Sequence, residues 1–167
     1  MRLWLFPFFL DEFFWFHKVT IYYRQMALSI WIRFLLYGAF GCCFEIVFTG
    51  IKHLVASQFK DWSLKGKSYI WMFPIYGLAA FLFEPVHNLL RAFLWPVRGL
   101  IYLVGFYVVE FSTGWLLKVL TGKCPWDYSQ AKYNFKGLIR WDYAPLWFAF
   151  CFVLEQLHDL LVRVQIV

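Results

Sequence analysis

Long apolar stretches alternate with short polar ones along this chain. Four of the apolar stretches, at roughly 29–51, 69–90, 97–120 and 144–165, run for more than twenty residues each. A helix of that length crosses about 30 Å of hydrocarbon. Helix is also the form the pattern demands, because lipid offers no partners to exposed backbone N–H and C=O groups. Pro96, flanked by Arg91 and Arg98, marks a tight turn between the second and third stretches, and the segments 52–68 and 121–143 are polar enough to be loops on the opposite side. The first 28 residues differ: "LWLFPFFL" is apolar but short, and Asp11, Glu12 and the aromatic run "FFWFHKVTIYYRQ" follow it. No small-residue cleavage site follows, as a signal peptide would require. Aromatic chemistry of this kind suits an interfacial or re-entrant anchor. The pattern therefore predicts an all-α membrane protein, with an anchor at 1–28 and one four-helix transmembrane domain at 29–167 carrying a structured loop at 121–143.

Polar residues interrupt this pattern at regular places. Glu45, Glu84, Glu110 and Glu155 fall one per stretch, several residues inside it. An ionised side chain at such depth costs at least about 2.5 kcal/mol on insertion scales, so four of them predict a shared polar site. Small residues keep to the same helical faces: Gly38, Gly41 and Cys42 with Glu45, Gly77 and Ala80 with Glu84, Gly114 with Glu110, and Cys151 with Glu155. Such residues let membrane helices approach closely. The second and fourth stretches also repeat one another, "FLFEPVHNLL" at 81–90 matching "FVLEQLHDLL" at 152–161. Tyr37 stands eight residues before Glu45, as Tyr102 stands eight before Glu110. The chain thus reads as two helix pairs, each with Glu and then Glu-x-x-His. That is an internal two-fold duplication about an axis along the membrane normal.

Composition sharpens the class. The 167 residues are 62% hydrophobic and only 16% charged, against about a quarter charged in soluble domains. A soluble domain of this size could not hide so much apolar surface, which makes the chain an integral, multi-pass membrane protein in contact with lipid; its compartment stays open. The net charge of +6 is explained by loop lysines and does not call for nucleic acid. Those lysines place the two long loops on the cytoplasmic side by the positive-inside rule. Cys42, Cys43, Cys124 and Cys151 form no CxxC pair, so neither a disulfide framework nor a zinc motif is read.

The repeated acid and imidazole admit several chemistries. A Glu from each of two helices plus Glu-x-x-His from each of two others is the ligand set of di-iron and di-manganese carboxylate bundles, which makes Glu45, Glu84, His87, Glu110, Glu155 and His158 candidate metal ligands. The connectivity departs from that precedent, since the turn between the second and third helices is short where those bundles have a long crossover. The same residues could instead be interhelical hydrogen-bond glue, with Glu84, His87, Asn88 and Arg91 on one polar stripe and Glu155, His158 and Asp159 on another, or could carry a cation or proton. All six are expected to converge in one interior site.

In the loop "KCPWDYSQAKYNFKGLIRWDYA", Pro125 ends a helix, Asp127 can cap a turn, Trp126 and Tyr128 suit an interface, and Ser129, Asn134 and Gly137 suit turns. It predicts a lid at the mouth of the bundle, made by Trp126, Asp127, Tyr128, Ser129 and Asn134. Together with "EFSTGWLL", "GCCFEIVFTG" and "YGLAAFLFE", this loop resembles the transmembrane protein 229 family, which is grouped with bacterial proteins labelled as ABC-transporter permeases. The resemblance covers roughly 33–163 and implies a compact multi-pass membrane protein without implying a reaction. The four glutamates match that pattern; the two histidines do not carry over from it. No GxxxxGK[ST] nucleotide-binding loop is present, so an ABC-type transporter would need a separate ATPase. HExxH and GxSxG are absent too. Three classes stay open: a permease or ion-handling protein, a di-metal membrane oxidoreductase, and a structural subunit of a larger membrane complex.

Overall fold

The structure, a computed structural model, describes the backbone over residues 6–163 and the side chains over residues 30–163. Among them are five α-helices: α1 Phe6–Ala56, α2 Met72–Gly77, α3 Ala79–Leu90, α4 Trp95–Thr121 and α5 Ala144–Arg163. A two-stranded hairpin, β1 Asn134–Phe135 and β2 Ile139–Arg140, precedes a 3-10 turn at Trp141–Tyr143. The anchor expected at 1–28 lies outside the residues whose side chains are described.

Three helical stretches are long and apolar enough to cross a membrane: Ile30–Ala56, Trp95–Thr121 and Trp141–Arg163. The second expected span is not one helix. It is divided into α2 and α3 at Leu78, whose N–H is shared between the carbonyls of Pro74 at 3.1 Å and Ile75 at 3.2 Å. Pro74 and Pro85 bring no N–H of their own to this stretch. A proline inside a helix removes a rung of the ladder, and a bifurcated turn tightens the path toward 3-10 geometry.

The sequence of contacts fixes how the helices run. Along α1, Arg33 meets Glu84, Phe34 meets Phe81, and Glu45 meets Ser68, so α1 and the α2–α3 segment are antiparallel. Phe40 and Phe44 pack on Phe150 while Phe48 reaches Tyr143, so α1 is antiparallel to α5. Arg98 meets Glu155, and Phe106 stacks on Trp147 with centroids 4.4 Å apart, so α4 is antiparallel to α5 as well. Helices α1 and α4 therefore run the same way. The core between them is Tyr37, Ala80, Tyr107, Ile139, Trp147, Phe150 and Leu154. Outward-facing side chains such as Leu35, Val47, Val104, Val108, Val119 and Leu160 are all exposed and apolar, and give the helices their lipid-facing surface.

The ends of the helices are set locally. Pro96 stands in the first turn of α4, where its missing N–H costs nothing. Gly122, at φ 77°, closes the same helix in the left-handed conformation that glycine adopts freely. The first loop folds back along α1: Thr49 Oγ1 accepts from the Lys67 N–H at 2.8 Å and donates to the Lys67 carbonyl at 3.0 Å.

Close approach depends on Gly41, where a Cβ would stand 2.1 Å from Tyr76 Cγ, next to the backbone of α2. Gly41→Leu should therefore cost roughly 1–3 kcal/mol by overpacking. Gly105→Ala, with nothing within 4 Å of the new methyl, should be neutral or stabilising by up to about 1 kcal/mol. Thermal melts of the two variants in one detergent check the contrast.

Candidate functional site

Four of the predicted site residues meet at one end of the packed helices. Glu84, His87, Glu155 and His158 are each 5% exposed or less. Two arginines answer the carboxylates. Arg33 Nε donates to both oxygens of Glu84, at 2.8 and 3.1 Å. Arg98 donates in a fork to Glu155, Nε to Oε1 at 2.9 Å and a terminal nitrogen to Oε2 at 3.0 Å. Charge-assisted, two-point contacts of this kind are among the stronger hydrogen bonds in proteins.

The histidines lie across from these pairs. His158 Nδ1 is 3.4 Å from Glu84 Oε1, and His87 Nδ1 is 3.5 Å from Glu155 Oε1. Each imidazole thus stands beside the carboxylate of the other Arg–Glu pair, and the two rings meet edge to face with centroids 5.0 Å apart. His87 Nδ1 also shares a hydrogen bond with the Tyr102 hydroxyl at 3.0 Å. Asp159 sits 3.6 Å from His87 Nε2 and pairs with Arg91 at the more exposed edge. Three carboxylates therefore face three guanidinium groups, and the cluster is charge-balanced before its imidazoles are counted.

Glu45 and Glu110 are not part of this cluster. Glu45 lies twelve residues beyond Arg33, and Glu110 twelve beyond Arg98, or about 18 Å along each helix. The convergence expected of all six residues separates into two layers. In the second layer, Glu45 accepts from the Ser68 hydroxyl at 2.6 Å, and Glu110 from the Tyr128 hydroxyl at 3.4 Å. Between the layers is a cavity of about 530 Å³, lined mostly by aromatic and aliphatic side chains. Tyr37, Tyr102, Cys151 and Leu154 line it toward the cluster, and Glu45, Tyr76, Glu110 and Tyr128 toward the loops.

Loop 121–143 packs beside this cavity. The Trp126 indole donates to the Leu138 carbonyl at 3.0 Å, and its ring lies over Gly114, where a Cβ would be 2.9 Å from it. The Tyr128 N–H donates to the Gly137 carbonyl at 2.9 Å. Asp127 Oδ1 accepts from the Ser129 N–H at 2.8 Å and from the Ser129 hydroxyl. These donors hold the Asp127 carboxyl below its ordinary range. Burial pushes the Tyr128 phenol up, and the nearby Glu110 adds to the shift. Asn134 Nδ2 donates to the Ala131 carbonyl at 2.7 Å, and its oxygen accepts from the Gly137 N–H at 3.0 Å.

Sequence reasoning passed over the two arginines, although a signal existed. Arg33 precedes Tyr37 by four residues, as Arg98 precedes Tyr102 by four. The arginines thus stand at the same offset from the tyrosines and glutamates in both stretches.

Taken together, the fold and the site define a helical, multi-pass membrane protein with ion pairs buried between its helices. The chain belongs to the family described as "Putative ABC-transporter type IV", whose model matches residues 32–166 and so includes both carboxylate layers. No solved structure matches the chain.

Breaking one Arg–Glu pair should cost more than replacing it. Arg98→Leu strands the buried Glu155 carboxylate, at roughly 3 kcal/mol, and Glu155→Leu, which leaves the partly exposed Arg98, should cost less. The double variant Arg98→Leu/Glu155→Leu should regain most of that loss, and a double-mutant cycle on detergent-solubilised protein measures the recovery.

Proposed function

We propose that this chain is a permease-like membrane protein. It is a four-helix bundle of two repeated helix pairs, α1 with α2–α3 and α4 with α5. The Arg–Glu–His cluster fastens the pairs at one end, and the cavity beyond it receives the transported species. Loop 121–143 is the lid on the other end. The closer likeness to the transmembrane protein 229 family, carried by "CPWDYS" at 124–129, belongs to the same proposal. So does a separate ATPase subunit, which the chain's lack of a nucleotide-binding loop would require.

One observation carries this reading: the carboxylates divide by partner. Those in the cluster are bound to arginines, whereas Glu45 and Glu110, among the described residues, have no lysine or arginine within ion-pair distance. Fixed pairs suit a fastening. Unmatched carboxylates on a cavity suit a site that meets its counter-charge in a ligand. The reciprocal contacts of His87 and His158, with the equal offsets of Arg33, Tyr37, Glu45 and Arg98, Tyr102, Glu110, support the two-fold repeat.

A metal-dependent reading rests on a narrower observation. Ligand atoms of His87, His158 and Asp159 lie within 4.8 Å of one another, a spacing one divalent ion could bridge. A di-iron or di-manganese centre would need more. Glu84 and Glu155 would have to give up their arginines, and Glu45 and Glu110 stand in another layer.

Cysteine accessibility tests the permease reading. With the four native cysteines replaced by serine, Val109→Cys on the cavity wall should react with a small charged thiol reagent from one side of a proteoliposome. A residue sealed from both sides would overturn the reading. Elemental analysis of the purified protein should find no stoichiometric iron, manganese or zinc. One equivalent, lost in His87→Ala and His158→Ala, would establish the metal reading instead.

A further inference from the structure

The cavity can be read further for the class of ligand it takes. Its volume of about 530 Å³ falls within the range of sites that hold drug-sized molecules. Its wall is largely aromatic: Tyr76, Phe106, Trp126, Tyr128 and Trp147 all contribute. Tyr76 lines it together with both Glu45 and Glu110. The two lysines on the lining, Lys52 and Lys67, are exposed at its rim. Lys52 is already engaged, donating to the Tyr143 hydroxyl at 2.7 Å and standing 5.5 Å from the centroid of the Phe48 ring. Lys67 stands 5.9 Å from the Tyr69 ring. Neither reaches a cavity carboxylate.

One further group on the wall lacks a partner. Trp147 is 6% exposed, yet among the described residues its indole N–H has no hydrogen-bond partner. Buried polar groups are normally satisfied, and a binding site is one of the places where they are not. Carboxylates set among aromatic faces combine the two devices that recognise an organic cation, Coulomb attraction and the negative face of the ring. An inorganic ion would use the carboxylates and leave the aromatic volume empty.

We propose that the cavity binds an amphipathic organic cation, its charge held by Glu110 and Glu45 and its apolar body by the aromatic wall. This rests on the permease reading, because it assumes that the cavity is open to a ligand. The probe is tetraphenylphosphonium, with tetraphenylborate as its counterpart of like shape and opposite charge. Equilibrium dialysis against the full chain in phosphatidylcholine nanodiscs should show saturable binding of the cation and none of the anion. Glu110→Gln and Glu45→Gln should each weaken binding by about ten-fold or more. Asp61→Asn, in the first loop and off the cavity lining, should leave it unchanged. If a glutamine variant fails to fold, the preference of the wild-type protein for cation over anion still decides the matter. Equal uptake of both ions, saturable binding of the anion alone, absence of saturable binding, or unaltered affinity in both glutamine variants would overturn the assignment. Should that happen while Val109→Cys remains reactive, only the ligand class is lost; an unreactive Val109→Cys removes the permease reading itself.

Discussion

A carboxylate carried into an apolar helix assembly has to find a cation or a proton close by, because the surrounding medium will not solvate it. Glu84 and Glu155 find arginines. Each guanidinium comes from the antiparallel helix packed alongside, and each donates to both carboxylate oxygens at once, Arg33 through one nitrogen and Arg98 through two. The helix pairing follows from this constraint. Arg33 can meet Glu84 only if α1 and α3 run antiparallel with their registers fixed, and the same holds for α4 and α5. The cross-contacts of His87 with Glu155 and His158 with Glu84 then tie one antiparallel pair to the other. Buried ion pairs of this kind are weak sources of net stability but strong penalties against misalignment, since any slip leaves a charge unmatched. That makes the cluster an element of specificity more than a source of cohesion. Cohesion comes from the aromatic packing around Phe150 and Trp147.

With one end fixed, the rest of the interior need not be filled. The glycines bring helices together where they meet, as at Gly41 against Tyr76 and Gly77 against Phe34. Elsewhere the large aromatic rings hold the helices apart, and a cavity remains between the two carboxylate layers. The loops beside it have their backbone held by side chains. Thr49 grips Lys67, Asn134 bridges Ala131 and Gly137, and Asp127 holds Ser129. Rigid pairing at one end and local turn chemistry at the other give the fold an asymmetry that its repeated helices alone would not have.

Much of this was legible in the sequence. Three membrane-length helices follow from apolar length alone, and the burial of Glu84, His87, Glu155 and His158 follows from the matching register of "FLFEPVHNLL" and "FVLEQLHDLL". The division of the second stretch at Leu78 was less so, because hydropathy does not register where the ladder tightens to a bifurcated turn, as it does at the Leu78 N–H. The arginines were misjudged for a different reason. Arg98 sits beside a turn and reads as a boundary residue, yet its side chain reaches back to Glu155. The two layers differ from the single expected site for a reason of register. A two-fold duplication would place Glu45 level with Glu110 and Glu84 level with Glu155, but it would not place the first pair level with the second. In an antiparallel hairpin that register is set by which residue of α1 stands opposite Glu84, and this is Arg33, twelve residues before Glu45.

The separation of the layers also bears on why the chain carries four span glutamates when two would fasten it. A carboxylate bound to arginine has its charge spent, and a second cation brought to it must displace the first or remain in excess. This is the physical difficulty for a di-metal centre at the cluster, where three acids already face three guanidinium groups. Glu45 and Glu110 have no such occupant among the described residues. Each has a single neutral hydroxyl donor, from Ser68 or Tyr128, and no counter-ion among the described residues. A carboxyl so placed keeps a proton rather than a bare charge, and a cationic ligand would take the place of that proton. On the permease reading, the fold would use one chemical group in two opposed ways. Where the charge is matched within the chain it fixes register, and where it is left unmatched it would supply the difference in free energy on which recognition depends.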